Sequence, residues 1–131
     1  MSIRTHSRQI IIQCLFQWSY DPLDPHILIR EHTLNKKNNS FDLEFITSCV
    51  KGCIEKQQEI DTLIETTAQR HIKDISPMEL AILRLGVFEI KYRQDIPYKV
   101  SITECIELSH KFGGPSSHKF INHVLDTISK V

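Results

Sequence analysis

Lys119, Phe120 and His123 stand close together near the end of the chain, and Arg4, His6 and Arg8 stand near its beginning. A cation beside an aromatic ring is suited to binding. The ring can stack on an unpaired base while the cation neutralises a phosphate. No residues of this chain are spaced for catalysis. The glycines of Gly113-Gly114-Pro115 end a helix and open a turn; they do not form a phosphate-cradling loop. Seven histidines are scattered, and His118 and His123, five residues apart, are poorly placed to chelate one metal ion. No Cys-x-x-Cys occurs, and Cys105 with a distant histidine is a weak case for a nucleophile pair. The chain therefore reads as a binding protein with no metal and no cofactor.

Projection at about 100° per residue shows which side chains are free to bind. On the last helix Ile121, Val124, Leu125 and Ile128 mark the core direction. Phe120 falls roughly 90° from it, at the border, where it either meets a ligand or packs on a neighbouring helix. Lys119 and His123 point mostly to solvent. On the first helix Phe16 lies roughly 150° from the centre of the apolar stripe and about 80° from Arg8. It is either covered by a second layer of helices or exposed near the basic end. Arg84 sits in an otherwise apolar helix, where an unpaired guanidinium would cost several kcal/mol. Glu79 and Glu89 point away from it, so it either forms an internal ion pair or meets a partner chain.

The elements that must hold these residues are all helical. Strand signals are nearly absent. Ser2 caps a first helix with the stripe Ile11, Cys14, Leu15 and Trp18, which Asp21-Pro22 stops. Asp24-Pro25 restarts a short helix, a capping acid followed by proline at the first helical position. Asn35 to Asn39 is a polar, lysine-containing loop. Ser40 opens the longest predicted helix, running to Gln69. Ser76-Pro77-Met78-Glu79 is a capping box. The helix behind it, Leu80 to Tyr92, is apolar almost all round and belongs at the centre of a bundle. A second box, Ser101-Ile102-Thr103-Glu104, opens the next helix, and Ser116 or Ser117 caps the last. Six helices in one domain, residues 1–131, make an all-α bundle.

Composition narrows the function classes further. The 131 residues carry 16 basic and 16 acidic side chains, so no global field selects nucleic acid. The basic residues nevertheless lead the chain: the first acid is Asp21. Cys14, Cys49, Cys53 and Cys105 all fall on apolar helical faces and read as buried free thiols. With no apolar run of about 20 residues and no secretory leader, the expected compartment is the cytoplasm.

Several segments resemble the NusB family of bacterial transcription antitermination factors. They are Glu79-Leu80-Ala81-Ile82-Leu83-Arg84-Leu85, Ile96-Pro97-Tyr98-Lys99-Val100 with Glu104 and Glu107-Leu108, Lys111-Phe112-Gly113, and Ser117-His118-Lys119-Phe120-Ile121-Asn122 with Val124-Leu125-Asp126. Gln13-Cys14-Leu15-Phe16-Gln17-Trp18 extends the likeness to the first helix. The resemblance implies two packed three-helix bundles and an RNA-binding role. It implies pairing with NusE, a ribosomal small-subunit protein, on boxA-type single-stranded nascent RNA, within an antitermination complex on RNA polymerase, chiefly on ribosomal RNA operons. It also implies a capacity to form homodimers.

Carried over by position, the RNA-binding residues are Arg4, Arg8, Phe16, Lys119, Phe120 and His123, and Glu79 and Arg84 belong to the partner-binding side. The basic start is thinner than is usual in the family. His123 stands where the family commonly has glycine, Thr103 where it has asparagine and Ser116 where an acid can occur. Two other readings compete. One is a helical interaction or dimerisation module with little RNA binding. The other is a NusB-like accessory domain for ribosomal RNA methylation, which the absence of a cofactor-binding α/β domain before Val131 disfavours.

Overall fold

A computed structural model describes residues 2–131. Seven α-helices lie among the described residues: α1 Ile3–Tyr20, α2 Pro25–Thr33, α3 Leu43–Glu55, α4 Gln57–Ala68, α5 Pro77–Tyr92, α6 Tyr98–Phe112 and α7 Ser117–Ser129. There are no strands among the described residues. Four helix starts follow the local chemistry of the sequence. Ser2 accepts the Thr5 N–H at 3.0 Å, Asp24 that of His26 at 2.9 Å, Asp42 that of Phe45 at 3.0 Å and Ser76 that of Glu79 at 3.3 Å. Each cap satisfies a donor that has no partner within its helix.

Three boundaries differ from the sequence reading. Ser40 ends a 3-10 turn, Asn38–Ser40, and Asp42 caps the helix that follows. The long helix expected from Ser40 to Gln69 is two, broken at Lys56. The stripe skips from Ile54 to Ile60 there. On either side the neighbours change: α3 packs on α1, α2 and α5, and α4 on α5 and α7. Ser101 and Glu104 lie inside α6, which starts one turn earlier behind Pro97. Their side chains are used elsewhere, Ser101 donating to Glu89 at 2.7 Å and Glu104 accepting from Thr5 at 2.6 Å.

Helices α1–α3 pack together as one bundle and α4–α7 as a second, which the break gives one more helix than expected. The two meet along α5, which touches α1, α3, α4, α6 and α7 and is buried from Leu80 to Glu89. Two glycines allow this close packing. A Cβ on Gly52 would stand 2.2 Å from the Phe88 ring, and one on Gly86 would stand 2.7 Å from Leu125. The core they close contains Ile11, Leu15, Ile46, Leu83 and Ile121, all with essentially no exposure. All four cysteines are buried and free. Burial pushes the thiols of Cys14 and Cys49 up to about 12, far from thiolate chemistry.

Candidate nucleic-acid interface

Residues 69–76 run between α4 and α5, and the two aromatics singled out by the sequence both lie near this segment. Phe16, half-buried near the end of α1, meets Tyr20 edge-on at 5.6 Å. It lines a cleft of about 480 Å³ with Tyr20, Ile72, Lys73 and Pro77. Phe120, in the first turn of α7, is half-buried against the core. The guanidinium carbon of Arg70 lies 4.5 Å from the centroid of its ring. Arg70, Lys73 and Lys119 are all exposed. Two aromatic rings and three cations therefore gather around one short loop, an arrangement suited to unpaired bases and their phosphates.

The turn into α7 is fixed from below. Buried Ser117 donates to Glu79 Oε2 at 2.6 Å and accepts the Gly114 N–H at 2.9 Å. Gly113 has no room for a side chain, since a Cβ would stand 2.7 Å from both Ser109 O and Ser117 Cβ. Glu79 is thus half-buried and engaged inside the chain, where it positions the start of α7. His118 stacks on His110 of α6, with ring centroids 4.4 Å apart. His123 is exposed one turn beyond Phe120, on the same side of the helix by its three-residue spacing.

The basic start of the chain is not part of this cluster. Arg8 is only 2% exposed. It donates to Glu89 through Nε at 2.8 Å and Nη2 at 2.9 Å, and to Glu104 through Nη1 at 3.1 Å. Burial works against its charge, but the Glu89 and Glu104 carboxylates outweigh that and hold its pKa above the ordinary value. Arg8, expected on the RNA face, has its donors engaged inside the core. Arg4 lies 4.0 Å above the Phe45 ring and 3.7 Å from Asp42, with 41% of its side chain exposed. Arg93, which follows the last residue of α5, faces the same ring at 5.3 Å, whereas Glu79 near the start of α5 holds Ser117. Fourteen residues of helix separate Glu79 from Arg93, on the order of 20 Å. Arg4 and Phe120 accordingly belong to opposite ends of the central helix.

Arg84, expected on the partner-binding side, faces inward. It is 4% exposed and paired with Asp61 by two hydrogen bonds of 2.9 Å. Trp18 lies 5.6 Å from its guanidinium. It is the internal ion pair that the sequence left open, and a buried cation requires such a partner. Arg70 and Lys73 escaped the sequence reading. The run Arg70-His71-Ile72-Lys73 between two helix patterns was the available signal, but only the fold places it near Phe16 and Phe120.

Residues 5–130 match the NusB family. The chain is similar to a transcription antitermination protein NusB of Marinobacter nauticus, with 35% identity over 127 residues that cover 97% of this chain and 80% of that one. The fold is similar to T. maritima NusB, with a TM-score of 0.87 at 28% identity over 99% of this chain and 93% of the other. It also resembles a chain from the crystal structure of antitermination factors NusB and NusE in complex with dsRNA. There the TM-score is 0.86 at 24% identity over 96% and 95% of the two chains, a likeness of fold.

Proposed function

The chain belongs to the NusB family, and on that premise we propose that it is a transcription antitermination factor that binds boxA-type single-stranded nascent RNA together with NusE. One observation supports the RNA face above the others. Phe16 and Phe120 lie near a loop whose Arg70 and Lys73 are exposed, with Lys119 beside them. Bases stack on the two rings, and phosphates meet Lys119, Lys73 and Arg70. His123 lies at the edge of this face.

Arg4, half-exposed at the far end of α5, is reached only by an RNA that runs along the body. With few cations on the face, binding by the protein alone is weak and NusE strengthens it. The pair enters the antitermination complex on RNA polymerase, chiefly on ribosomal RNA operons. The protein works in the cytoplasm and catalyses nothing; no helix among the described residues is long and apolar enough to cross a membrane.

Amide NMR mapping tests the face. Adding a boxA-type single strand should shift resonances at residues 16–20, 70–77 and 117–123 and leave α3 quiet. Shifts confined to α3 and the start of α1 would refute this placement.

A further inference from the structure

The guanidinium of Arg70 covers the ring that a base is to stack on. Resting on the RNA-binding reading above, we propose that Arg70 is a gate on Phe120: it closes the ring in the free protein, yields the ring to an incoming base and takes that nucleotide's phosphate.

Three observations support the gate. Arg70 is exposed and makes no ion pair among the described residues, and its guanidinium lies over the ring of Phe120. Its charge is therefore unspent. The nearest acid along α4, Glu65, already accepts the Ile72 N–H at 2.9 Å and lies 4.0 Å from His71. Finally, Gln69 caps α4 in the left-handed region, with φ 54°. It is the only described residue other than glycine with positive φ. Arg70 follows directly on that left-handed cap, and its guanidinium reaches the ring of Phe120 on α7.

Magnitudes favour the exchange. An exposed cation–π contact is worth a factor of about 2–5 in an equilibrium, whereas a base stacked on an aromatic ring is worth about 5–150. The base displaces the guanidinium, and the freed fork has five N–H donors for phosphate oxygens.

The test compares wild type with Arg70→Ala and Arg70→Lys, titrating an unstructured single-stranded RNA 12-mer across a range of salt concentrations. Because one phosphate contact contributes about 0.7 to the salt slope on a single strand, Arg70→Ala should flatten the slope by about that amount. At low salt it should bind more weakly than wild type. At high salt, where the phosphate contact is screened and the ring no longer needs uncovering, its curve should meet or cross the wild-type curve. Arg70→Lys should keep the slope. Parallel curves, with Arg70→Ala weaker by one constant factor, would mean that the guanidinium is a fixed stacking platform, and the gate would be wrong. Identical curves would remove Arg70 from the site. Wild type that fails to bind the RNA would sink the RNA-binding reading, and the gate with it.

Discussion

Arg8 and Glu89 close on each other through two hydrogen bonds of 2.8 and 2.9 Å with almost no solvent access to either side chain. The pair joins α1 to the central helix, and Ser101 of α6 completes it by donating to the same carboxylate. A residue that the sequence suggests for phosphate binding is thereby a link between the two bundles.

Removing one member leaves the other buried and unpaired. Arg8→Met should lower unfolding stability by about 3–5 kcal/mol, read by urea denaturation. Adding Glu89→Leu should recover much of that loss, because apolar replacement of a whole buried pair is often neutral. A stable Arg8→Met protein with a reduced RNA salt slope would instead make Arg8 a phosphate ligand.

Phe120 is half-buried, so its truncation should separate binding from folding. Phe120→Ala is expected to lower RNA affinity by about 1–3 kcal/mol while the far-UV circular dichroism stays helical. Loss of the helical signal would make the ring a core residue first.

Phe16 and Lys73 share one cleft but should fail differently. Phe16→Ala should weaken RNA binding at every salt concentration, whereas Lys73→Ala should lower the salt slope by about 0.7. Fluorescence anisotropy at several ionic strengths distinguishes them, and unchanged binding in both variants would exclude the cleft from the site.

His32 supplies a pH dependence of stability. Partial burial holds it below the ordinary histidine value against the pull of Glu31, and its Nε2 lies 2.8 Å from Gln17 Oε1. Since the folded value lies below the unfolded one, near 6.5, the folded state resists taking up the proton. Its contribution is complete above about 6.5 and is lost as pH falls through the folded value. The urea midpoint should therefore drop on mild acidification, and His32→Gln should drop less. An equal drop in both proteins would clear His32.

The all-α class was legible because apolar residues recur at helical spacing and Ser2, Asp24 and Ser76 carry their caps in the sequence. Ser101 and Glu104 show where such reading stops. A Ser-x-x-Glu box states that two side chains can cap a helix, but buried Glu89 and Arg8 compete for them, and the competitors come from other helices. The division at Lys56 was half visible, in the gap between Ile54 and Ile60, but no proline or glycine marks it. For the proposed interface, helical projection sets Phe16, Lys119 and Phe120 off the core stripes of their helices. Arg70 and Lys73 carry no such signal, because nothing local says that the loop at 70–76 comes up against residues 16 and 120. The pairing of Arg8 is hidden for the same reason: a charge near the start of the chain says nothing of which carboxylate the fold sets against it.

RNA binding with NusE is tested by titrating a boxA-type single strand into this protein, with and without NusE, at two salt concentrations. Binding should be weak and salt-sensitive for the protein alone and much tighter with NusE, and Phe120→Ala should reduce both. Binding indifferent to salt, or no gain on adding NusE, would contradict the proposed function.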